Sequence, residues 1–294
     1  MAVSRGIRIR FRDRIARVGI KDILLYAVMI CLVAFTALPL IYVISTAFKP
    51  YDEIMKFPPQ FFVRRPTLNN FEDLVVALSG SSVPFLRYVY NSVVTTAATV
   101  FLTVIVSSMG AYALVKQRVP GGKVLFTIII MALMFPGAVT TIPSYLVVSH
   151  LGMMNSHLAL VVPKIAVAYN MFLMKQFCEQ LPNPILEAAR IDGASEWTIF
   201  RKIVFPFLTP AWATLIVFSF VSNWNDYFSP LVYIQDEALK TLPLALSTIG
   251  ESGNVARAGA MAAATFLTTL PTIVIFTIMQ GRVIETMAYS GIKE

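Results

Sequence analysis

Six stretches of this chain are long and apolar enough to cross a bilayer, and this fact limits its fold more than any other. A crossing takes about 20 mostly apolar residues, because roughly 30 Å of hydrocarbon is spanned at about 1.5 Å per helical residue. The stretches are Ile23 to Thr46, Val89 to Val115, Val124 to Ser149, Leu158 to Met174, Thr209 to Ile234 and Ala258 to Met279. They predict an all-α polytopic membrane protein with six transmembrane helices. The third and fifth contain prolines and polar residues and the second is studded with threonine, which leaves a five-span count open. Charged residues are only 14% of the chain, against about a quarter in a soluble domain.

Lysine and arginine set the orientation, since cations close to a span stay in the cytoplasm. Arg5, Arg8, Arg10, Arg12, Arg14, Arg17 and Lys21 precede the first span, and Lys116, Arg118 and Lys123 lie between the second and third. Residues 1–22 are therefore read as a basic cytoplasmic segment, 23–281 as the membrane domain and 282–294 as a cytoplasmic tail. The connection between the third and fourth spans has no lysine or arginine and is placed outside. Anionic membrane lipid explains the net charge of +8 without any nucleic acid. Cys31 and Cys178 fall too far apart in this scheme to be bridged.

Two connections do more than turn the chain. Residues 47–88, outside, mix Pro50, Pro58, Pro59 and Pro66 with charges and aromatics and read as a small lid or docking surface. Residues 175–208, inside, carry a helical hairpin. Asn183 and Pro184 read as cap and first helical residue, and Gly193 as a left-handed stop. Ser195 caps a second helix with Glu196 in its first turn, and Ile199 and Ile203 share a face until Pro206 interrupts. Ala188 and Ala189 make a surface with little side chain, which lets a partner approach the backbone. Glu187, Arg190 and Asp192 are placed to form ion pairs at its rim.

The run Glu187-Ala188-Ala189, then Gly193, then Ile203-Val204-Phe205-Pro206 resembles the EAA loop of ABC-type importer permeases, with Phe205 in place of the usual leucine. Nearly the whole chain is similar to the carbohydrate branch of these importers, the branch of the maltose permeases. Phe48-Lys49-Pro50 with Glu53-Ile54, Thr67-Leu68-Asn69-Asn70-Phe71, Gly110-Ala111-Tyr112-Ala113, Trp224-Asn225-Asp226 and Ser290-Gly291-Ile292-Lys293 carry that likeness. The resemblance implies a permease subunit with a type I importer fold, paired with a second homologous permease in the bacterial inner membrane. It also implies two cytosolic ATPases that bind ATP and Mg, and an external solute-binding protein. Glu187, Ala188, Ala189, Arg190, Asp192, Gly193, Ile203 and Pro206 would couple the subunit to its ATPases, and Ser290, Gly291 and Lys293 would make a second contact with them.

Polar residues inside spans usually bridge helices or line a path. Asn91, Lys164, Asn170, Asn223, Asn225 and Asp226 are such residues. Lys164, Asn170, Asn223 and Asn225 are candidates for a substrate pathway, although bonds between helices are the commoner role of asparagine. Asp226 lies near the external end of its span, within reach of water. Lys164 is about seven residues below the external end of the fourth span, where a cation facing the path would favour acidic saccharides such as uronates. Pro39, Pro136, Pro143, Pro163 and Pro271 permit kinks.

No HExxH run, cysteine cluster or phosphate-binding loop is present, so the reading assigns the chain no catalytic residue, metal or cofactor, and ATP to other subunits. The rival reading, an ion-coupled secondary transporter, calls for intramembrane carboxylates and broken helices in two halves; among carboxylates only Asp226 comes close.

Overall fold

A computed structural model describes residues 20–79, 83–117, 119–251 and 257–291. The basic run Arg5 to Arg17, Arg118 and Lys293 lie outside the described residues. The chain begins with α1 (Ile20–Ala47), α2 (Tyr51–Ile54), α3 (Asn69–Ser79), α4 (Phe85–Lys116) and α5 (Gly122–Ala132). It goes on through α6 (Gly137–His150), α7 (His157–Ile165), α8 (Ala168–Glu179), α9 (Asn183–Ile191) and α10 (Glu196–Ile199). A π-turn at Phe200–Val204 leads into α11 (Phe205–Phe207), followed by α12 (Thr209–Trp224), α13 (Phe228–Tyr233), α14 (Leu242–Glu251) and α15 (Ala258–Gly291). Among the described residues there is no strand.

Three helices, α1, α4 and α15 over Ala258–Val283, are long and apolar enough to span a membrane unbroken, and three bent pairs bring the number to six when each pair is taken as one crossing. The third expected span divides into α5 and α6, at 115° to each other. Pro136 supplies the reason: it has no N–H to donate back, and its ring pushes Phe135 out of the helical region. The fourth divides into α7 and α8 with a 42° bend. This break leaves the Lys164 carbonyl without its helical partner, and the Thr103 hydroxyl of α4 bonds it at 3.4 Å. The fifth does not run on to Ile234 as expected; α12 stops at Trp224, and its start is bent by 74° from the helix that enters at Glu196. The sixth runs past Met279 to Gly291, so the expected tail is helical over residues 282–291. Pro39 and Pro271 sit inside continuous helices.

The helix α4, about 48 Å long at 1.5 Å per residue, is the axis of the domain. Its buried face is a row of small hydroxyl residues, Ser92, Thr95, Thr96, Thr99, Thr103, Ser107 and Ser108, several of which bond the carbonyls of their own helix. Short side chains that satisfy themselves let α7, α8 and α12 pack close. Along α1 only Ala47 is buried, and no residue of α5 is. Helices this apolar and this exposed are stable where lipid or another membrane subunit covers them.

Two apolar clusters lie toward opposite ends of α4. One joins Ala111 and Tyr112 to the hairpin through Phe177, Leu186, Ile199 and Leu208. The other joins Tyr88 to the 47–88 connection through Ala47, Leu74 and Leu78, and to Trp224, Leu242 and Ala263. The 47–88 connection is thus packed onto the helix ends. Asn70 fastens it, donating to the carbonyls of Ala47 at 2.9 Å and Lys49 at 2.7 Å. Glu53 is buried and accepts from the backbone N–H groups of Arg64 and Arg65 at 3.0 and 3.1 Å. These bonds hold its carboxyl below the usual range.

Gly259 permits this closure, because a Cβ there would lie 2.1 Å from the Asn70 Oδ1. Gly259→Val is expected to lose about 1–3 kcal/mol through overpacking. Thermal unfolding in detergent and proteolysis of the 47–88 connection would register this; wild-type midpoint and cleavage rate would contradict it.

Candidate functional site

The hairpin is built from backbone chemistry outward. Pro182, not Asn183, holds the cap position of α9, without a side-chain bond. The Asn183 side chain turns instead toward α4, where its Oδ1 accepts at 2.9 Å from the Lys116 ammonium, which also donates to the Leu181 carbonyl at 2.7 Å. Gly193 stops the helix with φ of +79°. The N–H groups of Gly193 and Ala194 reach back to the carbonyls of Arg190 and Ala189, both at 3.0 Å, the paired bonds of a Schellman stop. Ser195 then caps α10, accepting from the Thr198 N–H at 3.3 Å.

The two faces of α9 differ. Leu186 is 2% exposed and inserts beside Ile199 and Val204, with Ala189 and Ile203 half-buried at the edge. Glu187, Ala188 and Asp192 face outward, and Ile191 is 86% exposed. Pro206 is exposed just before the bend into α12.

Glu196 ties this hairpin to α4. Its Oε1 accepts from the Arg190 Nε at 2.8 Å, and its Oε2 accepts from the Tyr112 hydroxyl at 2.6 Å and from the Gln117 amide. Arg190 foremost, then Tyr112 and Gln117, hold the Glu196 carboxyl down at about 2. Of the three residues read as rim charges, Arg190 is turned to Glu196, while Glu187 and Asp192 stay exposed.

Inside the membrane domain, Lys164 beside the α7–α8 break is ion-paired with Asp226. Asp226 also caps α13, its Oδ1 accepting from the N–H groups of Phe228 and Ser229 at 3.0 and 3.1 Å. The pair lines an open cleft of about 420 Å³ with Asn225 and Tyr227. Lys164 is therefore not an isolated cation: a carboxylate balances its charge. Asn170 is buried on α8. Asn223 and Asn225 bond carbonyls of their own helix, Ser219 at 2.7 Å and Val221 at 2.9 Å, and not a neighbouring helix. Asn91 does bridge segments, donating to the Ala238 and Lys240 carbonyls, both at 2.9 Å.

A sequence profile of the family described as binding-protein-dependent transport system inner membrane component matches residues 103–288, which include the hairpin, Glu196 and the Lys164–Asp226 pair. The chain belongs to that family. It is 28% identical to the lactose transport system permease protein LacG of Rhizobium radiobacter, over 91% of this chain and 95% of that one. It is 32% identical to the polygalacturonan/rhamnogalacturonan transport system permease protein YtcP of Bacillus subtilis, over 74% and 73%. Its fold is that of a bacterial ABC transporter involved in the import of the acidic polysaccharide alginate, with a TM-score of 0.77, 22% identity and coverage of 90% and 98%.

Within this permease, sequence reasoning places the stop at Gly193 and the cap at Ser195 but misses the entry at Pro182 and two partnerships. Glu196 reads as a helix-start acid, yet its partner Tyr112 stands 84 residues earlier; Lys164 and Asp226 are 62 apart. Both pairs join an acid and a donor far apart in sequence, and hydropathy carries no signal for that. Of the tail residues, Ser290 and Gly291 belong to α15 by backbone, while their side chains lie outside the described residues.

Because the folded Glu196 titrates below its ordinary value of 4.5, the stabilisation is complete above about 4.5 and is lost as pH falls toward about 2. Glu196→Gln should melt below wild type at neutral pH, and this gap should close as the pH is lowered through that window. Coincident melting at neutral pH would contradict the assignment.

Proposed function

We propose that this chain is one half of the membrane pore of an ATP-driven carbohydrate importer and that the α9 hairpin is its joint with the motor. The carrying observation is the division of α9: Leu186 and the Glu196 network fix one side to the pore, while Glu187, Ala188 and the exposed Ile191 present the other to a partner. A small-residue surface rimmed by charge and one protruding apolar side chain suits a partner's groove. Family membership supports the external binding protein, since these systems depend on one. The lactose and polygalacturonan relatives support a saccharide as cargo.

In this reading a second, homologous permease covers the apolar faces that this chain leaves open, and two cytosolic ATPases bind ATP and Mg. The hairpin and both termini are cytoplasmic, as the positions of Lys21, Lys116 and Lys123 suggest. Closure of the ATPases pulls α9; Glu196 passes the movement to α4 through Tyr112, and the bend at Leu208 passes it to α12. Ser290, Gly291 and Lys293, late in the sequence, make a second contact with the ATPases.

Glu187→Lys reverses charge at the exposed rim, and Gly193→Asp strains a left-handed position by about 1–2 kcal/mol. Both variants should lower copurification of the ATPase subunits about tenfold, with the monodispersity and helicity of the membrane domain retained. Normal copurification together with normal uptake would overturn the coupling role.

The balanced Lys164–Asp226 pair predicts opposite shifts in selectivity. Lys164→Met leaves a carboxylate that repels uronates, whereas Asp226→Asn leaves an ammonium that attracts them. Uptake of galacturonate and neutral oligosaccharides should change in ratio in opposite directions in the two variants; an unchanged ratio in both removes Lys164 from the pathway.

A further inference from the structure

Two open clefts meet at Asn225 and Tyr227. One, of about 420 Å³, holds the Lys164–Asp226 pair; the other, of about 270 Å³, lies between α14 and α15 and is lined by Ser247, Thr265 and Thr268. Asn225 and Tyr227 line both. We infer that the two form one continuous saccharide-binding groove on this subunit, with the Tyr227 ring as a stacking platform for a pyranose at its centre. The inference rests on the carbohydrate reading above and extends it to a site and its residues.

The lining has the chemistry that a sugar chain needs. A pyranose presents an apolar face of C–H bonds and a rim of hydroxyls. The positive edge of those C–H bonds suits the negative face of an aromatic ring, and Tyr227 is 51% exposed at the junction. Hydroxyls want donors and acceptors in alternation. Asn225 spends one amide N–H on the Val221 carbonyl, leaving its other N–H and its carbonyl oxygen for a ligand. The hydroxyls of Ser247, Thr265 and Thr268 donate to the carbonyls of Leu244, Met261 and Ala264, at 2.7, 2.9 and 3.2 Å. Each thus turns its oxygen lone pairs outward as an acceptor. At the other end Lys164 and Asp226 set a donor and an acceptor side by side.

The groove is also preorganised. The Trp224 indole, next to Asn225, donates to the Thr268 carbonyl at 2.9 Å and stacks on Phe220 with ring centroids 5.6 Å apart. This bond fixes the end of α12 against α15. Asp226 fixes the start of α13, so Tyr227 is held on both sides. A site whose walls are already tied loses little order on binding.

The test uses the complete importer, with partner permease, ATPases and binding protein, in proteoliposomes; the probes are lactose, maltopentaose and pentagalacturonate. Tyr227→Leu keeps apolar bulk without a ring face, and Tyr227→Phe keeps the face without the hydroxyl. For the sugar that wild type imports, Tyr227→Leu should raise the uptake KM roughly tenfold and Thr265→Val about threefold. Tyr227→Phe, which keeps the ring face, should hold the uptake KM near that of wild type. Wild-type KM in Tyr227→Leu and Thr265→Val overturns the groove while leaving the carbohydrate reading intact. Failure of wild type to import any of the three sugars overturns the carbohydrate reading, and the groove with it.

Discussion

The carboxylate of Glu196 is the point on which the hairpin depends. It gathers a guanidinium from α9, a phenol from the end of α4 and an amide one residue past it, so a single side chain joins the turn of the hairpin to the central helix of the membrane domain. Lys116 adds a second tie, from α4 to the start of α9. Around both lies the apolar cluster of Phe177, Leu186, Ile199 and Leu208. Charge-assisted bonds of this kind are about twice as strong as neutral ones and far more directional, so they fix an angle where apolar packing alone fixes only proximity. A lever needs a fixed angle.

The rest of the domain shows how a membrane helix tolerates interruption. Each break stands beside something that satisfies or excuses the freed backbone groups. Pro136 brings no N–H to the α5–α6 bend, Thr103 bonds the carbonyl exposed at Lys164, and Asp226 takes up the first N–H groups of α13. The interruptions at Lys164 and Asp226 bring a cation and a carboxylate together. The two clefts that meet at Asn225 and Tyr227 are their product: ending α12 at Trp224 turns Asn225, Asp226 and Tyr227 into lining residues.

Hydropathy makes six crossings legible, and the spacing of Glu187, Gly193 and Pro206 makes the hairpin legible, because both are local and periodic. Gly193 adopts the left-handed conformation that its place after Asp192 predicts, and Ser195 caps as its place before Glu196 predicts. Asn183 illustrates the limit. Locally it is a good cap, yet Lys116 from another span takes its side chain and Pro182 supplies the entry. Likewise Asn223 and Asn225, read as path-lining or helix-bridging residues, donate to the Ser219 and Val221 carbonyls, which lie within reach four residues earlier. The ends of the fifth and sixth spans also shift: hydropathy sees apolar character continue to Ile234 and stop at Met279, whereas the backbone leaves the helix at Asn225 before α13 begins and stays helical to Gly291 in α15.

In the proposed mechanism the exposed face of α9 engages a separate motor. A photocrosslinking side chain carried on a cysteine at position 188, introduced as Ala188→Cys in the whole importer in native membranes, tests it most directly. The expected result is a crosslinked product that contains an ATP-hydrolysing subunit and whose yield changes between nucleotide-free and ATP-bound conditions. Capture of no ATPase under either condition, or labelling of position 188 by a membrane-impermeant reagent from outside the cell, would contradict it.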